Sequence, residues 1–149
     1  MTLLDQMRAK SPWILHYNTG ACNGCDIEVL ACLTPRYDVE RFGIINKGNP
    51  KQADIFVVTG PVTKKSKKPL MNLYNQLPEP KVVVAVGTCC VEKGIYDSCY
   101  GAVGPLDNFI KVDVYVPGCA VTPEAIIDGI VDAINIWKER KYRGKKNEE

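Results

Sequence analysis

The run Lys81-Val82-Val83-Val84-Ala85-Val86-Gly87-Thr88-Cys89 decides the fold class. Five apolar residues in succession leave no face for water, so residues 81–86 read as a strand covered on both sides. Runs of the same kind occur at 12–18, 39–45, 53–59 and 112–116, rich in Val, Ile, Phe and Tyr. Helical stretches separate them: 26–33, stopped by Pro35, then 69–76, then a long last helix over 123–140. The order βαββαββα predicts a doubly wound α/β fold, a mostly parallel sheet with helices on both faces.

The last helix has the clearest local signals. Thr122 is placed as N-cap, Pro123 at the first helical position and Glu124 in the positively polarised first turn. Ile126, Ile127, Ile130, Val131, Ile134 and Trp137 recur at helical spacing and form one apolar stripe for the sheet. Residues 138–149 are almost wholly polar and are expected to fray as a tail. The 149 residues suit one domain, 1–149, with no linker.

The formal net charge is +2, from 19 Lys plus Arg against 17 Asp plus Glu. A balance so even argues against nucleic acid as a partner. Seven cysteines are an odd number, and residues 1–10 are polar and charged where a secretory leader is apolar, so a reducing, intracellular compartment is expected. No apolar run approaches the roughly 20 residues of a membrane-spanning helix, so membrane association is expected to come through partners.

Four cysteines follow the expected strands: Cys22 and Cys25 after the first, Cys89 after residues 81–86, Cys119 after residues 112–116. In an open parallel sheet, ligand sites gather outside the carboxyl ends of the strands, so these distant residues point to one metal centre. Cys22-Asn23-Gly24-Cys25 lets two thiolates reach one centre, a spacing shared with zinc sites and thioredoxin-like pairs. Cys89 and Cys119 each lie near a strand-end glycine, in Gly87-Thr88-Cys89 and Pro117-Gly118-Cys119, where the backbone can approach a cluster closely. Structural zinc usually draws two close pairs. One pair with two distant singles favours an iron-sulfur cluster, with zinc and unliganded thiols as the other readings.

These motifs, with Asp26-Ile27-Glu28 after Cys25 and Pro123-Glu124 after Cys119, resemble the small subunit of nickel-iron hydrogenases. The resemblance spans most of the chain. It is strongest to the short form found in membrane-bound, energy-converting hydrogenases, to which the cluster-bearing subunit next to quinone in respiratory complex I is related. Ser11-Pro12-Trp13-Ile14 and Thr34-Pro35-Arg36-Tyr37-Asp38 match that short form too. The resemblance implies a flavodoxin-like domain carrying the proximal [4Fe-4S] cluster on Cys22, Cys25, Cys89 and Cys119. It also implies a separate nickel-iron large subunit, a ferredoxin-like iron-sulfur subunit and integral membrane subunits as partners, at the cytoplasmic face of the membrane. The chain would relay electrons between the ferredoxin-like subunit and the nickel-iron site, with no complete active site of its own.

The chain departs from its relatives where they carry Gly-Gly after the third cysteine and prolines after the fourth. Here stand Val91-Glu92-Lys93-Gly94 and Ala120-Val121. The complex I relative has adjacent cysteines in its first motif, so the spacing of Cys22 and Cys25 leans toward hydrogenase. Three rivals stand beside this reading: a cluster subunit of a complex I-like quinone or sulfane oxidoreductase, a flavin-binding flavodoxin and a zinc-stapled adaptor. The flavodoxin needs a phosphate-cradling loop where the first cysteine motif lies.

Among the other candidates, Cys32 lies on the helical face of Cys25 and reads as core. Cys90, if extended, points away from Cys89. Cys99, in a polar loop, is expected to be exposed. Glu28, three residues past Cys25, is a candidate interface or proton-path residue near the crevice, and His16 reads as a packed or interface residue. Lys64-Lys65-Ser66-Lys67-Lys68 forms a basic loop, a solvated surface or a patch that steers a charged partner.

Overall fold

The computed structural model describes residues 6, 7 and 10–146. Its main sheet is parallel throughout and contains β1 (Trp13–Asn18), β2 (Ile45–Asn46), β3 (Ile55–Thr59), β5 (Val82–Val86) and β7 (Val114–Val116). The spatial order is β2-β1-β3-β5-β7, the 2-1-3-4-5 order of flavodoxin-like sheets. Two short strands, β4 (Val62–Thr63) and β6 (Ala102–Gly104), pair antiparallel beside it.

Residue alternation divides the core into two layers. Ile55, Val57, Val82, Val84 and Val86 face one layer, where α1 (Gly24–Ala31) and α4 (Pro123–Lys146) pack. Phe56, Val58, Val83 and Ala85 face the other, with Leu70 of α2 (Lys67–Gln76) and Cys90 of α3 (Thr88–Glu92). Every residue of β3 and β5 is buried, as unbroken apolar runs require. The expected doubly wound class is the one found.

Three differences from the sequence reading have local causes. Residues 39–45 do not form a strand: Val39–Phe42 is a 3-10 turn, and only Ile45–Asn46 pairs with β1. Left-handed Asp38 and Gly43 bracket the turn, and a Cβ on Gly43 would stand 2.2 Å from the Lys10 carbonyl oxygen. The last helix continues to Lys146 rather than fraying from 138. Trp137 Nε1 donates to the Pro80 carbonyl at 2.8 Å, and Arg140 forks onto Asp113, whose Oδ2 also accepts Val83 N–H. Val131, counted in the stripe, is exposed, and Ala133 takes its place between Ile130 and Trp137. Residues 1–5, 8, 9 and 147–149, part of the expected polar ends, lie outside the described residues.

The start of α4 follows its signals, with Ala125 N–H donating to Thr122 Oγ1 at 3.5 Å. The helix sits so close to β7 that a Cβ on Gly129 would stand 2.4 Å from Val116 Cγ2. Gly129→Val is therefore expected to force helix and strand apart and cost about 2–3 kcal/mol of stability, read as a lower urea midpoint at unchanged m.

Candidate metal centre

Register places the last residues of four strands in one row. Asn18 pairs with Thr59, Thr59 with Val86, and Val86 with Val116. The cysteine loops leave the sheet from this row. The first is fastened by Asn18, whose Oδ1 accepts Gly20 and Ala21 N–H at 2.7 and 2.8 Å, and by buried Thr19, whose hydroxyl reaches the carbonyls of Thr59 and Gly60. Gly60, at φ +81°, lets Ala21 lie on the end of β3, since a Cβ there would stand 2.3 Å from the Ala21 nitrogen.

The second and third loops interlock. Gly87 N–H donates to Val116 O at 2.8 Å, Thr88 N–H to Gly118 O at 3.0 Å, and Gly118 N–H to Thr88 Oγ1 at 3.2 Å. Glycines then face the thiols. A Cβ on Gly87, at φ +94°, would stand 2.8 Å from Cys25 Sγ, one on Gly94 3.3 Å from Cys89 Sγ, and one on Gly24 3.5 Å from Cys22 Sγ and 3.4 Å from Ala120 Cβ. All three loops thus meet in one crevice.

The thiols also act on one another. Burial first, then Cys22, Cys119 and Asp26, push the Cys25 thiol up, against a backbone hydrogen bond from Val121 that lowers it. Burial, then Cys119, Cys22 and Cys25, push Cys89 up. Cys25 and Cys89 are thus two thiols whose ionisation burial and neighbouring sulfurs disfavour, a penalty that a cationic centre would relieve. Among the described residues, no three Cys, His, Asp or Glu side chains close on a single-ion position.

The other candidates separate. Cys32 is buried at the end of α1, its thiol pushed up to about 11 by burial, and Cys99 is exposed; both sit as expected. Cys90 points away from the crevice, but through a helical turn rather than a strand: it lies in α3, fully buried, with its thiol on the Val58 carbonyl at 3.5 Å. Glu28 is half-buried and acts on Cys32 and Tyr37, near Glu124 at the start of α4. His16 is packed as expected, with Nε2 3.0 Å from Asp26 Oδ1 and 3.3 Å from Thr59 Oγ1.

Asp26 was not singled out from the sequence, although it accepts hydrogen bonds from Asn18 and Thr59 as well as facing His16. Its signal was available: His16 and Thr59 interrupt two apolar strands and need a polar partner indoors. Tyr96 was also missed. Its hydroxyl hydrogen-bonds Cys22 and is pushed up by burial and by the thiols around it.

Comparison with known proteins assigns the chain. Residues 22–133 match the family described as NADH ubiquinone oxidoreductase, 20 Kd subunit, a span that contains all four thiols of the crevice. The chain belongs to that family. The resemblance carried by the cysteine motifs is thereby confirmed, and this 20 Kd-type chain is an oxidoreductase subunit. It is 50% identical over 125 residues to a probable membrane-bound hydrogenase subunit of Pyrococcus furiosus, covering 84% of this chain and 75% of the relative. It is 44% identical over 128 residues to NAD(P)H-quinone oxidoreductase subunit K of Thermosynechococcus vestitus, covering 85% of this chain and 53% of that one. Among solved structures, a chain of the membrane-bound sulfane sulfur reductase, an archaeal respiratory membrane complex, matches with TM-score 0.79 and 42% identity, over 92% of this chain and 76% of that one. No described helix is long and apolar enough to cross a membrane.

The crevice sets an order of thiol reactivity in metal-free protein. Iodoacetamide at neutral pH is expected to label exposed Cys22, Cys99 and Cys119 first. Cys25 and Cys89 should label more slowly and quicken as pH rises, because a raised pKa leaves less thiolate at neutrality. Cys32 and Cys90 should label only on unfolding. Peptide mapping by mass spectrometry reads the order.

Proposed function

We propose that this chain is the electron-transfer subunit of a membrane-bound, energy-converting nickel-iron hydrogenase. Cys22, Cys25, Cys89 and Cys119 hold one [4Fe-4S] cluster, the one proximal to a nickel-iron site in a separate large subunit. A ferredoxin-like subunit stands on the other side of the relay, and integral membrane subunits hold the assembly at the cytoplasmic face. The observation that supports this reading is the convergence of three strand-end loops, each carrying one or two of these cysteines, on one glycine-lined crevice, in a chain half identical to a probable membrane-bound hydrogenase subunit.

The donor set fits the group, since soft thiolates at four positions are the standard ligands of such clusters. When bound, the cluster supplies one-electron transfer. The residues around it do the rest. Gly24, Gly87 and Gly94 keep side chains out of the space, Val121 N–H is aimed at the Cys25 sulfur, and Tyr96 donates to Cys22. Ile27 and Leu30, exposed on α1 beside Cys25, form an apolar rim that a large subunit would cover.

A second reading, the cluster subunit of a quinone or sulfane sulfur oxidoreductase, is favoured by the likeness to quinone oxidoreductase subunit K and to the sulfane sulfur reductase chain. The spacing Cys22-Asn23-Gly24-Cys25 favours hydrogenase over quinone reduction.

Anaerobically reduced protein is expected to give a low-temperature paramagnetic resonance signal with iron and sulfide in equal amounts. Ser at Cys22, Cys25, Cys89 or Cys119 should abolish most of that signal and iron, whereas Ser at Cys32, Cys90 or Cys99 should leave both near wild type. Full iron in Cys119→Ser would overturn the ligand set. The purified chain alone should show no hydrogen-dependent dye reduction, and adding its large subunit should restore it. Activity of the isolated chain would overturn the division of labour.

A further inference from the structure

The most concentrated charge on the chain lies outside the crevice, in Lys64-Lys65-Ser66-Lys67-Lys68. All four lysines are exposed, and none is ion-paired among the described residues. From residue 55 to 78 the chain has no Asp or Glu. Of the carboxylates on neighbouring loops, Asp97 is paired with Lys93 at 2.8 Å, and Asp107, two residues before Phe109, forms no ion pair with the lysines. On a chain of net charge +2, four uncompensated positive charges within five residues form a local field rather than a general one.

The loop is held in shape. Lys64 N–H donates to Gly101 O at 3.0 Å, and Ser66 Oγ bonds the Thr19 carbonyl at 2.6 Å and the Thr63 hydroxyl at 2.8 Å. Lys64 Nζ lies 5.8 Å from the centre of the Tyr100 ring, and Lys67 Nζ 4.8 Å from that of Phe109. Tyr100 is 93% exposed, an amphipathic ring standing free beside the lysines.

We infer that this face rests on an anionic phospholipid surface. The inference rests on the reading of this chain as a peripheral subunit at a membrane. Clusters of at least four basic residues are what anionic headgroups attract, and Tyr is suited to the depth of those headgroups. Lysine, a compact point charge, suits a fluid array of phosphates that offers no fixed fork for arginine. Through Ser66 and Thr19 the patch is fastened to the loop that carries Cys22, so docking would fix the distance of the crevice from the membrane surface.

The test uses the full, iron-loaded chain with extruded vesicles of phosphatidylcholine, with and without phosphatidylglycerol, in a sedimentation assay. Binding is expected only with phosphatidylglycerol and should fall as salt rises. Each lysine should contribute about fivefold in partition coefficient, so joint Lys64→Gln, Lys65→Gln, Lys67→Gln and Lys68→Gln should weaken binding at least a hundredfold, to the order of several hundredfold. The four Arg replacements should retain it. Tyr100→Ala should weaken it by a smaller factor, and Lys51→Gln with Lys111→Gln, at the opposite end of the sheet, should not. Wild-type binding by the Gln variant, no preference for the anionic lipid, or carbodiimide cross-links in the native complex joining Lys64 to Lys68 to a partner's carboxylates would overturn the inference, the last in favour of an acidic protein surface. An iron-loaded chain that ignores anionic vesicles overturns this inference alone. A chain that binds them but takes up no iron overturns the cluster reading instead.

Discussion

Everything at the crevice depends on a parallel ladder buried on both faces. Since β1, β3, β5 and β7 run the same way and end level with one another, the loops after β1, β5 and β7 emerge along one edge of the sheet. The apolar alternation holds that register, because a one-residue slip would exchange the two core layers. Residues separated by almost a hundred positions in sequence thus become neighbours without any contact designed between them along the chain.

Polar groups indoors complete the edge. Asn18, Thr19, Asp26 and Thr59 stand where apolar strands give way to loops, and they satisfy one another or the backbone; no buried side-chain nitrogen or oxygen among the described residues lacks a partner. Asp26 in particular ties α1 to β1 and β3 one residue beyond Cys25. Burial of a carboxylate is costly unless it is hydrogen-bonded, so this knot holds only while helix and strands keep their places.

Much of this was legible in the sequence. The runs at 81–86 and 53–59 announced buried strands because every position is apolar, and Thr122-Pro123-Glu124 announced a helix start because capping chemistry is local. The failures came where local signals compete with tertiary ones. Residues 39–45 have strand composition, but Gly43 is pressed against Lys10, a contact that no window of sequence contains. The tail beyond 138 looked like solvent-facing polar chain, yet Trp137 and Arg140 are held by Pro80 and Asp113, both distant in sequence. Asp26 and Tyr96 escaped notice because each gains its role only through partners delivered by the fold.

Cys89 and Cys90 are adjacent and chemically identical, yet they live in different compartments. A helix turns about 100° per residue, so α3 holds one thiol at the crevice and drives the next beneath the sheet onto Val58. There burial holds the Cys90 thiol far above its ordinary pKa, and a thiol kept protonated is a poor metal ligand. The short helix thus works as a selector: it presents one sulfur of the pair at the edge of the sheet, and the neighbour cannot be exchanged for it without unwinding the turn.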